Sequence, residues 1–319
     1  MIHTSHFLAD LLAQHSQADQ RYYQGKRASD VLEEKLPMAL IHEGVGEVVF
    51  DNTGSFDVGD KVVMIPNTPT KEDEYISANY LPSSKFRGSG FDGFTSDLIQ
   101  LNPDRLVKLP DNFNLKISAF IELISVICHG IDRFEKIAIK HKNRFGVWGD
   151  GNLGYITALL LKEFYPESEV TVIGKHGENL NLFSFADKTY KFHEVPDDLA
   201  IDHGFECVGS NASQAAIDQI INTINPQGSI ILFGVSEYPI PINTRLILEK
   251  GLTIQGISRS ERKDFLKVVE LLKNNPNLFD SLDKLISEVV TIKSLNDLKE
   301  AFDKDYISGF GKTILVWDK

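Results

Sequence analysis

Only two cysteines, Cys128 and Cys207, occur in the 319 residues. Both lie in apolar surroundings without repeated spacing, so neither a disulfide framework nor a cysteine-rich zinc site can be built, and a reducing compartment fits. No apolar run approaches the roughly 18 residues of a membrane-crossing helix. Met1 to Gln20 also lacks the basic start and small-residue cleavage pattern of a signal peptide. The expectation is a soluble, unprocessed cytoplasmic protein. Positive charge is scarce as well: 33 Lys and Arg stand against 45 Asp and Glu, a net charge of −12. Nucleic acid and anionic membrane demand a basic face, and this balance argues against both. An anionic small molecule must instead meet a local basic pocket. Internal repeats, low-complexity tracts and long charge blocks are absent.

What the chain does have is a glycine loop in a specific setting. Phe145-Gly146-Val147-Trp148 reads as a buried strand, Gly149-Asp150-Gly151-Asn152-Leu153-Gly154 follows, and Ile156 to Phe164 repeats apolar residues at helical spacing. In such a unit Gly149 allows the tight turn, Gly151 lets backbone amides approach a pyrophosphate and Gly154 lets the helix pack on the strand, with the phosphate at the helix N-terminus. Asn152 and Leu153 complete the loop. A second strand, Val170 to Ile173, ends about 20 residues on, where an NAD site places an acid on the ribose 2′-hydroxyl. Here the chain reads Gly174-Lys175-His176. No carboxylate repels a 2′-phosphate at that point and Lys175 pairs with one as a point charge, which favours NADP(H).

The length suggests about two domains. Ahead of the loop, Ala39 to Phe50, Gly59 to Ile65, Thr95 to Leu101 and Leu106 to Leu109 are short β-like runs between Gly, Asp, Asn and Pro, and Pro66 to Phe91 is a long excursion. Ile117 to Phe134 reads as a linking helix. After it, strands and helices alternate through Phe205-Glu206-Cys207-Val208-Gly209 and Ser229 to Gly234 as in a doubly wound parallel sheet. Helix Lys263 to Asn274, Ser294 to Phe302 and strand Lys312 to Trp317 return to the first domain. The predicted division is an α/β Rossmann domain over 117–261 inserted into a β-rich catalytic domain over 1–116 and 262–319.

His42 and Glu43 set two metal-competent side chains side by side before a glycine-bearing strand; imidazole nitrogen and carboxylate oxygen are both good zinc ligands. Glu122 is the candidate to complete the site, and Asp19 to accept the other ring N–H of His42. For an anionic substrate the available cations are Arg21, first, then Lys26, Arg27, Lys85, Arg87 and Arg245, with Tyr22 and Tyr23 either lining the sugar pocket or packing in the core.

His42-Glu43-Gly44-Val45-Gly46, Val58-Gly59-Asp60-Lys61-Val62, Gly90-Phe91-Asp92-Gly93-Phe94, the glycine loop and Phe205 to Gly209 occur in the order found in zinc-dependent medium-chain dehydrogenases, which the chain resembles over nearly its whole length. Ala18 to Gly25, Lys35 to Met38, Val63 to Pro69, Trp148 to Ile156 and Gly234 to Glu237 resemble the ribitol-5-phosphate dehydrogenase branch, the ribulose-5-phosphate reductases. The resemblance implies a GroES-like catalytic domain and NADPH-linked reduction of the C2 ketone of D-ribulose 5-phosphate, supplying CDP-ribitol for teichoic acid or capsule. It implies catalytic His42, Glu43 and Asp19, and one zinc held by His42, Glu43, Glu122 and the residue at 16. It also implies a nucleotide site that includes Cys207, Gly209 and Gly234, a homodimer through edge strands, and a cytidylyltransferase of the same pathway as partner. The family's first zinc ligand is a cysteine, whereas this chain has Ser16, a far poorer donor, with His15 beside it. The family's leading strands also find no counterpart in Met1 to Gln14, which reads as an unrelated amphipathic stretch and a shortened start. Two further readings stay open: a reductase of another polyol phosphate or sugar, and a metal-free NADP-binding protein with impaired catalysis.

Overall fold

Strand Arg144–Trp148, buried from Phe145 onward, turns through Gly149 into helix Asn152–Phe164, whose Tyr155, Ile156, Ala158 and Leu160 are buried. In the computed structural model, which describes residues 6–14, 17–305 and 310–318, this is the first turn of a six-stranded sheet. The chain divides into two units: Ile127–Ser258, and a unit joining the stretch up to Val126 with the stretch from Arg259.

In the first of these the sheet runs Lys188–Lys191, Glu169–Gly174, Arg144–Trp148, Ile201–Glu206, Ile224–Leu232, Thr253–Gly256, and every pairing is parallel. By rank along the chain the order is 3-2-1-4-5-6, so the winding reverses between Arg144–Trp148 and Ile201–Glu206; ligands of such sheets bind beyond the strand ends at that reversal. Parallel strands covered on both faces must be apolar throughout, yet Ile201–Glu206 buries Asp202, His203 and Glu206. Each has its partners. Asp202 accepts from the backbone of Asn143 (3.0 Å) and Arg144 (2.9 Å) and from Asn225 (2.8 Å). His203 bridges the His141 carbonyl (3.0 Å) and the Ser229 amide (3.1 Å).

The second unit holds a seven-stranded sheet in the order Ile286–Ile292, Lys312–Trp317, His6–Gln14, Glu43–Asp51, Lys61–Met64, Leu106–Lys108, with Ile99–Leu101 also paired to His6–Gln14. All contacts are antiparallel except that of the two C-terminal strands. Its core gathers Val48, Val62, Met64, Phe94, Leu106, Phe302 and Leu315. The stretch read as unrelated to the family's leading strands is corrected here: His6–Gln14 is a central strand, hydrogen-bonded to three others. Its leucine-rich pattern carries no period-2 signal, and cross-strand pairing overrides it. Strand Ile286–Ile292 also escaped the sequence reading. The excursion after Pro66 is ordered by paired strands Asn67–Thr68 and Lys85–Phe86, and the single linking helix is split into Leu115–Ser118 and Ile121–Glu135. No helix among the described residues is long and apolar enough to cross a membrane.

Candidate active site

At the head of strand Glu43–Asp51 the backbone is kinked. Ile41 is fully buried with φ 71°, a conformation that is strained for a β-branched residue. Asp19 holds it by accepting the Ile41 amide at 2.9 Å. Gly93 permits it, because a Cβ there would lie 2.2 Å from the Ile41 carbonyl oxygen. The kink turns His42 and Glu43 to where one donor atom from each, and one from Glu122, lie within 4.8 Å of one another. All three residues are buried.

The electrostatics of this cluster are those of a site short of positive charge. Burial alone would lower the His42 imidazole; Asp19, then Glu122 and Glu43, overcome it and hold the group up at about 9. Burial pushes the Glu122 carboxyl up to about 7, with Glu43 and Asp19 adding to it and His42 and Lys312 opposing. His42 Nδ1 stands 3.4 Å from Asp19 Oδ2 and makes no aligned hydrogen bond, while Nε2 lies 4.0 Å from Glu43 Oε1. An imidazole and two carboxylates converging in a buried space suit zinc by ligand type. Nδ1 faces Asp19 and Nε2 faces Glu43, so Nε2 is the nitrogen turned toward the carboxylate donors, and the raised Glu122 carboxyl is what a divalent cation would relieve. Ser16 and His15 lie outside the described residues.

Lys312 was not foreseen. Its ammonium donates to Glu43 Oε1 at 2.6 Å and Oε2 at 2.7 Å, so Glu43 already holds a counter-ion. Phe86 packs a tilted ring 5.2 Å from the His42 imidazole, and the Arg259 guanidinium lies over that Phe86 ring, 4.7 Å from its centre. The tyrosines sit elsewhere. Tyr22 is in the core with its hydroxyl 3.4 Å from the Ser89 carbonyl, and Tyr23 gives its hydroxyl to Asp303 (2.9 Å) and its ring to Phe302. Arg21 is half-buried in the last turn of helix Gln17–Tyr23.

In the nucleotide unit the glycines occupy positions where side chains would not fit. A Cβ on Gly149, at φ 131°, would lie 2.9 Å from the Cys207 carbonyl, and one on Gly154 only 1.9 Å from the Gly149 oxygen. Gly151 differs: nothing lies within 4 Å of its Cβ position, and it caps the helix that opens with Asn152 and Leu153. Across the reversal, buried Glu206 gathers the next two loops, accepting from Val208 N (2.9 Å), Gly209 N (3.0 Å), Ser213 Oγ (2.9 Å) and Gly234 N (3.0 Å). Burial pushes the Cys207 thiol well up, so that residue is a neutral wall of the loop. Asp150, also unforeseen, accepts the Lys175 and His176 amides at 2.9 and 2.5 Å. Gly174 makes room for it, since a Cβ there would meet Asp150 Cβ at 2.5 Å. Asp150 is thereby turned to the backbone at the end of the second strand, and the exposed Lys175 ammonium makes no hydrogen bond or ion pair among the described residues.

Comparison with known proteins agrees with this arrangement. Residues 13–111 match the alcohol dehydrogenase GroES-like domain, and residues 184–274 match the zinc-binding dehydrogenase family. Ribulose-5-phosphate reductase 1 of Staphylococcus aureus is 55% identical over 94% of this chain and 88% of its own length. The chain belongs to the zinc-binding alcohol dehydrogenase family. Within that family it groups with the ribulose-5-phosphate reductases, the protein of that name from Bacillus spizizenii being 50% identical over the same shares. The crystal structure of S. aureus TarJ in complex with NADPH superposes with a TM-score of 0.88 at 48% identity, covering 99% of this chain and 92% of that one. The expected fold, a Rossmann sheet joined to a GroES-like catalytic domain, is therefore the observed one.

Proposed function

We propose that this chain is a zinc- and NADPH-dependent reductase that converts D-ribulose 5-phosphate to D-ribitol 5-phosphate, a cytoplasmic step toward CDP-ribitol for teichoic acid or capsule. The observation that carries the reading is 55% identity to a ribulose-5-phosphate reductase across 94% of the chain, with the His42, Glu43 and Glu122 donor cluster intact.

In this reading the catalytic domain comprises 1–116 and 262–319 and the nucleotide domain 117–261. His42, Glu43 and Glu122 would hold zinc. When bound, the metal polarises the substrate carbonyl as a Lewis acid and the nicotinamide supplies hydride. Asp19 fixes the His42 ring through Nδ1, Lys312 neutralises Glu43, and Phe86 excludes water from one side of the imidazole. The amides at Gly151, Asn152 and Leu153 take the pyrophosphate at the helix N-terminus. Lys175 takes the 2′-phosphate, and Cys207, Gly209 and Gly234 wall the nicotinamide side. A homodimer forms through the edge strand Thr253–Gly256, and a cytidylyltransferase consumes the product.

The test is turnover with NADPH of D-ribulose 5-phosphate, D-xylulose 5-phosphate and D-ribulose, with zinc content measured on the same protein. One zinc per chain and a clear preference for ribulose 5-phosphate are expected, with zinc and activity lost together in His42→Ala. NADPH binding without zinc or turnover would overturn the assignment in favour of a non-catalytic NADP-binding protein. Ser16→Cys should raise zinc affinity, because a thiolate is the better donor.

A further inference from the structure

The basic residues expected around a substrate phosphate are largely engaged. Arg87 donates to the Asp92 and Gln100 carbonyls at 3.0 and 3.2 Å, Arg245 pairs with Glu249 at 2.8 Å, and Arg27 lies over the Tyr22 ring. Arg259, which no sequence motif singled out, is different. It is partly buried, and its guanidinium makes no hydrogen bond or ion pair with any described residue; it lies over the face of Phe86, 4.7 Å from the ring centre. Burial lowers its pKa and no carboxylate beside it offsets that cost, although an arginine stays charged regardless.

Its backbone is also held out of the ordinary, at φ 60° in the left-handed region that a residue with a side chain seldom adopts. The next residue anchors that conformation: buried Ser260 Oγ lies 2.7 Å from Ser125 Oγ, which donates at 2.6 Å to the carbonyl of Glu122. A strained residue so fixed aims an uncompensated cation, and strain of this kind concentrates at ligand sites.

We propose that Arg259 binds the phosphate of the substrate and so sets the preference for phosphorylated over free ketoses; this rests on the chain being a sugar-phosphate reductase. The reach is right. Phe86 neighbours both groups, its ring centre lying 4.7 Å from the guanidinium and 5.2 Å from the centre of the His42 imidazole. In an extended pentulose 5-phosphate the phosphorus lies roughly 6 Å from C2 by standard bond lengths. A carbonyl beside His42 therefore carries its phosphate out over Phe86 to Arg259. The planar guanidinium presents paired N–H donors that match two phosphate oxygens, and in a chain of net charge −12 such a cation is what admits a dianion.

Arg259→Asn removes the charge while keeping a residue that tolerates left-handed backbone, and Arg259→Lys keeps the charge without the fork. With the zinc-loaded full chain and NADPH, Arg259→Asn is expected to lose about 100-fold in kcat/KM for D-ribulose 5-phosphate, mainly through KM. Turnover of D-ribulose stays within about two-fold, and Arg259→Lys recovers part of the loss. Equal losses on both ketoses, or a retained phosphate preference, overturn the proposal. If the wild type reduces neither ketose, the activity reading fails by itself and calorimetry with inorganic phosphate decides this one. Binding by the wild type and not by Arg259→Asn supports it; the same result for both proteins overturns it.

Discussion

Lys312 sets its ammonium 2.6 and 2.7 Å from the two oxygens of Glu43, tying the last strand of the chain to the strand that begins at the His-Glu pair. Both side chains are nearly dry, 8% and 2% exposed. A buried pair stripped of one member leaves an uncompensated charge, which costs about 3–5 kcal/mol. Lys312→Met should therefore destabilise the metal-free protein by about that amount in urea unfolding. Adding Glu43→Gln should recover part of it, since the two residues are coupled.

The raised groups of the cluster give the metal-free protein a defined response to pH. His42, lifted from 6.5 to about 9, adds stability that is fully present below pH 6.5 and is lost as pH rises through 9. Glu122, lifted from 4.5 to about 7, binds its proton more tightly folded than unfolded, so it too favours the low side and its contribution fades between those values. The metal-free protein should melt lower at pH 9 than at pH 6. Zinc needs His42 neutral, so affinity should climb over the same interval with release of protons. Calorimetric titration in buffers of different ionisation enthalpy would check it, and a flat affinity between pH 6 and 9 would count against the cluster as the metal site.

Local signals made the nucleotide unit legible. The strand, glycine loop and helix of residues 144–164 are contiguous, and Gly154 answers a contact with Gly149 only five residues before it. The partners brought from far along the chain carried no such mark. Lys312 stands in an ordinary-looking final strand 269 residues from Glu43, Arg259 matches no motif, and Asp150 shows its role only once Gly174 is seen beside it. His6–Gln14 was misread because strand pairing, a tertiary effect, outweighed its composition. Tyr22 and Tyr23 lay in a family string, but sequence does not tell which side of a helix faces a pocket.

Lys175 offers a separate test of cofactor choice. Its ammonium is exposed and makes no ion pair among the described residues, while Asp150 accepts the amides at 175 and 176. Lys175→Gln should weaken NADPH binding about 10-fold, the scale of one hydrogen bond to a charged group, leave NADH binding unchanged and leave the melting temperature in place. Equal weakening of both nucleotides would place the 2′-phosphate elsewhere.

The glycine loop separates binding from folding at two neighbouring positions. At Gly151 an added methyl meets nothing within 4 Å, so Gly151→Ala should melt like the parent protein. The same open space is where a pyrophosphate must approach the backbone, so NADPH affinity should fall by at least about 10-fold. At Gly154 the added carbon would stand 1.9 Å from the Gly149 oxygen, a collision with backbone that no side-chain rotation relieves. Gly154→Ala must push the helix off the loop, and both melting temperature and NADPH binding should drop together. Fluorescence titration with NADPH alongside thermal melting distinguishes the two variants. If Gly151→Ala bound NADPH as tightly as the parent, the phosphates would not lie against this loop.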